Sequence, residues 1–227
     1  MTILIINILK QCRINIVEDQ DRIFSDEDFS ELYEQLQRDH IKDKAYMPSY
    51  AVELAMLTGM RCGELAGLRW SKINKKNHTI KVDTSEKLNK ETRECYIDTT
   101  KTRKMRYVPM SLETEELLDR IRKVQIQNGF ADEFVFTGEN GRTHVSAISL
   151  CVRRKCKQAG IEIKGMNAIR RTVNSRLKCL EVSSTVAASM LGHTAEVNEN
   201  NYSYDTSDRQ FKLELFNKLN SRIKKLS

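Results

Sequence analysis

Proline is almost missing from this chain, with 2 in 227 residues, and glycine is scarce at 9. So few breakers leave little room for long linkers or low-complexity tracts, and they favour helices over a disordered chain. Long hydrophobic runs are absent too. The opening MTILIINILK is apolar, but it is far shorter than a membrane span, and it lacks a basic n-region and a small-residue cleavage site. It reads as an interface strand or as the edge of an upstream domain, with no membrane segment anywhere. Also missing are a CxxC pair and any His/Cys cluster at zinc-ligand spacing. The six cysteines (Cys12, Cys62, Cys95, Cys151, Cys156 and Cys179) are scattered and read as reduced, packing thiols of a cytoplasmic protein.

What is there suits a globular protein of one or at most two domains, with 40% hydrophobic and 30% charged residues. The charge is unevenly divided. Residues 1–50 hold 6 Lys+Arg against 10 Asp+Glu, and the remainder holds 32 against 21. A basic body behind an acidic first helix suits a polyanionic partner, because neutralised phosphates release counterions. On charge alone an ordinary basic surface fits equally well.

Ser25-Asp26-Glu27-Asp28 is a helix start, with Phe29, Leu32, Tyr33 and Leu36 as its apolar stripe. Pro48 opens a second helix that buries Ala51, Leu54, Ala55 and Leu57, stops at Thr58-Gly59 and gives way to a short one at Arg61. Between about Thr79 and Met110 the pattern turns to β, with short runs at Ile80–Val82, Cys95–Ile97 and Tyr107–Pro109. Helical spacing returns after Ser111 and continues near 146–159, 167–180, 183–191 and 208–226. The expectation is a mainly α (α+β) domain with a small three-stranded antiparallel sheet inserted early.

Four separated segments carry chemistry. They are Thr58-Gly-Met-Arg-Cys-Gly-Glu-Leu65, Lys101-Thr-Arg-Lys-Met-Arg-Tyr-Val-Pro-Met110, Asn167-Ala-Ile-Arg-Arg-Thr172, and Leu191-Gly-His193 followed by Tyr202. Each is weak singly. In this order and spacing they resemble the first arginine box, the lysine-bearing β-hairpin, the HxxR box and the final box of the tyrosine site-specific recombinases, the phage-integrase type. The resemblance spans roughly residues 23–205, leaving 1–22 as a leader or linker remnant and 23–227 as the catalytic domain.

The resemblance implies site-specific recombination of double-stranded DNA for a mobile element, by cleavage and rejoining through a 3′-phosphotyrosine in a tetramer on DNA. It implies Arg61 and Arg170 as phosphate clamps, Lys101 as acid for the leaving 5′-oxygen, His193 as a phosphate hydrogen-bond partner and Tyr202 as nucleophile. Asn167 stands where the family usually has histidine. The residues suit these roles. Guanidinium is permanently charged and grips phosphate in a planar, bidentate way, so no metal or other cofactor is expected. Arg61 stands at a helix N-terminus, where backbone N–H groups favour an anion and the dipole disfavours a mere surface arginine. Glu64, one turn on, faces the same side and is expected to orient Arg61, although a simple surface pair has the same spacing. A lysine at a hairpin turn can donate a proton when its pKa is lowered. Lys104 and Tyr204 are the local rivals of Lys101 and Tyr202, and the family's spacing selects the latter two. A solvated basic turn touching phosphate fits Arg103, Lys104 and Arg106, with Arg171 on the DNA backbone.

Two departures bear on this. Asparagine donates a hydrogen bond but shuttles no proton near neutral pH. Only about 22 residues precede the resemblance, where full-length members carry a separate core-binding domain. Both favour a second reading, a catalytically weakened DNA-binding remnant. A type IB topoisomerase relative shares the chemistry, but the short length and integrase-like boxes disfavour it. The final helix places Phe211, Leu215, Phe216, Leu219, Ile223 and Leu226 at helical spacing, a stripe for its own domain or for a neighbouring protomer.

Overall fold

The structure is a computed structural model that describes residues 23–100, 105–179, 184–192 and 209–225. The first helix, α1 (Asp26–Lys42), begins where the sequence placed it. The Ser25 side chain accepts from the Asp28 backbone N–H at 3.0 Å, and Phe29, Leu32 and Leu36 are buried. Pro48 stands in the first turn of α2 (Met47–Thr58), whose every residue is buried. A helix buried on all sides belongs in the middle of a domain. Around α2 pack α1, α3 (Cys62–Ala66), α4 (Leu112–Gln127), α5 (Val145–Ala159), α6 (Met166–Cys179) and α8 (Arg209–Lys225).

The β region holds five strands: β1 (Ile73–Asn74), β2 (Thr79–Val82), β3 (Thr84–Leu88), β4 (Cys95–Thr99) and β5 (Arg106–Pro109). A three-stranded antiparallel sheet is present, in the order β1-β2-β5, with Ile80 opposite Val108 and Lys81 opposite Tyr107. Its membership differs from expectation. Cys95–Thr99 pairs with β3 in a separate hairpin, with Glu86 opposite Ile97. The β3 stretch Thr-Ser-Glu-Lys-Leu has one apolar residue and turns a glutamate inward, so it carries no alternating signal to read. A two-residue hairpin, β6 (Thr137–Gly138) with β7 (Gly141–Arg142), leads into α5.

Two close approaches set the site. Gly63 lies on β3, where a Cβ would fall 2.5 Å from Ser85 Oγ and 2.9 Å from the Glu86 carbonyl oxygen. Gly59 ends α2 at φ +65°, and a Cβ there would meet Leu191 Cδ2 at 2.5 Å. The C-terminus of α7 (Ser184–Leu191) therefore sits directly against the turn that precedes Arg61. On α8, Leu215, Phe216 and Leu219 are buried and Asn220 Nδ2 donates to Ser111 Oγ at 2.7 Å, so these three residues of the stripe pack on their own domain, while the side chains of Phe211, Ile223 and Leu226 lie outside the described residues. Cys62, Cys95, Cys151 and Cys156 are free thiols, and burial pushes Cys62 and Cys151 up to about 11, far from thiolate at neutral pH. Among the described residues no helix is long and apolar enough to cross a membrane.

Candidate active site

Arg61 is the residue that opens α3, with extended backbone at φ −73°, ψ 149°. Glu64, three residues on, turns back so that its Oε2 accepts the Arg61 backbone N–H at 2.9 Å while Oε1 accepts Arg61 Nη1 at 3.0 Å. One carboxylate thus caps the helix and orients the guanidinium. The other arm, Nη2, donates to the Gly192 carbonyl at 2.7 Å. The Arg61 side chain stays 37% exposed, and that of Glu64 is buried.

Arg170 arrives from α6. Its Nη1 donates to the Gly59 carbonyl at 2.7 Å, and its Nη2 donates to the carbonyl of Leu191. Arg61 and Arg170, 109 positions apart in the chain, therefore bind adjacent carbonyls at the end of α7. That helix end carries negative partial charge, which gathers cations. Asn167 is exposed one turn before Arg170, on the same side of α6, and Arg171 is exposed beside it.

A third arginine completes the cluster. Arg106 sits on β5 and grips Glu64 bidentately, Nη1 to Oε1 at 2.8 Å and Nη2 to Oε2 at 2.7 Å, while its Nε donates to the Met190 carbonyl at 3.2 Å. The sequence reading put Arg106 on a solvated turn touching DNA. Its side chain is instead only 10% exposed and wholly engaged within the protein. The inward direction was legible: Arg106 and Val108 share one face of β5, and Tyr107 between them is exposed.

Three guanidiniums around one carboxylate leave the cluster net positive by two charges. Burial, then the charges of Arg61 and Arg106, push Arg170 down to about 9, with Glu64 pulling the other way. Arginine keeps its proton at neutral pH, so the shift registers burial first and then the crowded positive charge, which an entering anion would offset. Burial alone would raise Glu64. The Arg106 guanidinium, the Arg61 backbone N–H and the Arg61 charge hold it below the ordinary carboxylate value instead.

Lys101, Arg103, Lys104, His193 and Tyr202 lie outside the described residues. Among the described residues, Glu86, Cys95 and His144 bring three donor atoms within 4.8 Å of one another. The Glu86 oxygens already accept from Arg142, His144 and the Val145 backbone N–H, so a cation there would compete with a guanidinium.

Residues 22–208 match the sequence profile of the phage integrase family. No curated protein matches the chain. Among solved structures, the Tn1549 transposon integrase in complex with a circular intermediate DNA is similar over 79% of this chain and 61% of its own, at 21% identity and a TM-score of 0.61. The XerA recombinase is similar over 85% and 64%, at 20% identity and a TM-score of 0.60. A lambda integrase dimer bound to a COC′ core site is similar over 81% and 62%, at 18% identity and a TM-score of 0.52. The chain thus spans a little over three fifths of the length of these solved chains.

Proposed function

Because the chain belongs to the phage integrase family, we propose that it cleaves and rejoins double-stranded DNA in site-specific recombination of a mobile element, as a tyrosine recombinase. The observation that carries this reading is the convergence of Arg61 and Arg170 on adjacent carbonyls, in a cluster with two positive charges in excess. Transfer at a phosphodiester gathers charge on the non-bridging oxygens, and fixed guanidiniums offset it. Such donors are each worth about 10²–10³ in rate.

In the proposed reaction Arg61 and Arg170 hold those oxygens, with Asn167 and His193 donating hydrogen bonds to the same phosphate. The Tyr202 oxygen gives up its proton and bonds to phosphorus, nearby positive charge favouring the phenolate. The bond to the 5′-oxygen breaks as that oxygen takes a proton from Lys101. A 3′-phosphotyrosine and a free 5′-hydroxyl result, and the reverse steps reseal the strand. Arg103, Lys104 and Arg171 grip the DNA backbone. The lambda integrase tetramer bound to a Holliday junction, similar over 75% of this chain at a TM-score of 0.51, supports assembly of four protomers on DNA.

A nicked suicide duplex tests the reading. Wild-type protein should become covalently attached, with or without excess chelator. Tyr202→Phe should abolish the adduct and Tyr204→Phe should leave it. Asn167 in the usual histidine position favours the second reading, DNA binding with weakened catalysis, and wild-type protein that binds the duplex without attachment would establish that one.

A further inference from the structure

Arg106 has no part in the chemistry just proposed, yet like Arg61 it joins Glu64 to the end of α7. Its fork is spent on the two oxygens of Glu64, and its Nε reaches Met190 on the opposite wall. The carbonyls of Met190, Leu191 and Gly192 thus receive Arg106, Arg170 and Arg61 in turn, from a strand, a helix and a helix start that are far apart in the chain. We propose that Arg106 is a positioning residue, which holds Glu64 and the 190–192 turn at a fixed separation so that Arg61 and Arg170 meet the scissile phosphate together. This rests on the strand-cleavage reading above.

Three observations support it. The planar fork needs both carboxylate oxygens, a geometry a lysine cannot reproduce. Gly192, at φ +67°, lies so close over the side chain that a Cβ would fall 2.8 Å from Arg106 Cδ and 2.9 Å from its Nη1. The turn is therefore moulded on Arg106. Charge balance is the third. With Arg106 present, Glu64 is shared between two cations and Arg61 keeps charge to offer a phosphate; without it, the carboxylate falls to Arg61 alone. The Arg106 fork and its Nε are taken up by Glu64 and Met190.

The simpler alternative is a salt bridge that only stabilises the fold, and the test separates the two. Adduct formation on the suicide duplex at saturating protein, binding to an uncut duplex across a salt titration, and thermal stability are measured for wild type, Arg106→Lys and Arg106→Ala. Arg106→Ala is assayed with and without millimolar guanidinium. The expected result is an adduct rate at least about tenfold lower in Arg106→Lys, with the affinity and the log–log salt slope unchanged. Guanidinium should recover part of the rate in Arg106→Ala. An adduct rate in Arg106→Lys equal to wild type overturns the proposal. So does a salt slope shallower by roughly 0.9 in Arg106→Ala, the variant that removes the charge, which would make Arg106 a phosphate contact. A loss of rate matched by equal losses of affinity and stability, with no recovery by guanidinium, overturns it in favour of the structural salt bridge. If wild-type protein forms no adduct, the cleavage reading fails and takes this proposal with it; a wild-type adduct with an unimpaired Lys variant removes this proposal alone.

Discussion

The five-residue helix α3 lies between two buried glutamates that do the same local job with opposite charge balance. Glu64, inside the helix, caps it by accepting the Arg61 N–H. Glu86, on the strand beneath, caps α5 by accepting the Val145 N–H at 2.9 Å. Each carboxylate also grips arginine. Around Glu86 there is one, Arg142, which also donates to the Ala66 carbonyl at 3.1 Å and lies over the Phe134 ring, with the half-exposed His144 at 2.8 Å. One carboxylate and one guanidinium cancel. Around Glu64 there are two arginines in contact and a third close by, and they do not cancel. Buried charge is costly unless paired, so a balanced set reads as architecture and an excess reads as a place suited to an anion. Glu53 belongs with Glu86: Arg120 at 3.1 Å and His40 at 2.6 Å meet it, with Gln37 completing its hydrogen bonds.

The largest expected effect would break this contrast if it failed. Arg61→Ala should slow adduct formation about 10²–10³-fold, the usual cost of losing one fixed donor to a reacting oxyanion. Arg142→Ala should leave the rate within about threefold while lowering stability by about 3–5 kcal/mol, because it removes the guanidinium that balances a buried carboxylate. A urea titration beside the adduct assay checks both. Equal loss of rate in the two variants would erase the distinction between the glutamates.

A smaller effect sharpens it. An anion that fills the Glu64 cluster should stabilise the folded protein by linkage, about 1.4 kcal/mol at ten times its dissociation constant. For a chain of this size that is a rise in melting temperature of about 3–6 °C. Phosphate should produce the rise in wild type and in Arg142→Ala, and Arg170→Ala should lose it. Comparing variants removes the general stabilising action of the salt, which all three share.

How far these two regions could be read from the sequence differs for a physical reason. The helices announced themselves through local signals: Ser25 and Ser111 as caps, Pro48 in a first turn, and the 3.6-residue spacing of Phe29, Leu32 and Leu36. Arg61 and Glu64 are neighbours on one helical turn, so their contact is local as well. What spacing could not reveal is convergence. That Arg106 and Arg170 meet the same carboxylate neighbourhood depends on β5 packing against α7 and α6 packing against α2, and that Glu86 caps α5 depends on a strand with almost no apolar residues. Arg106 stands in one basic run with Arg103 and Lys104, which gives it the sequence signature of a solvated residue, although alternation with Val108 turns it inward.

The smallest effect is a pH dependence that both glutamates should share. Burial favours the neutral acid, yet Glu64 and Glu86 both titrate below their ordinary value of 4.5 when folded. Arg106 and the Arg61 N–H overcome burial at Glu64. The Val145 N–H, His144 and Arg142 do so at Glu86. A group whose pKa is lower in the folded protein binds its proton first in the unfolded chain. The stability it contributes is therefore complete above about 4.5 and drains as the pH falls through the folded value. Each such group adds at most one proton, about 1.4 kcal/mol per pH unit, to the slope. Glu86→Gln should flatten the acid limb of stability against pH by up to that amount, measured by urea unfolding between neutral pH and acid. Glu64→Gln should flatten it as much but also lower adduct formation at neutral pH, where neither carboxylate titrates. A Glu86→Gln variant with the acid slope of wild type would show that Arg142 and the Val145 N–H do not hold that carboxylate ionised, and the symmetry between the two glutamates would be gone.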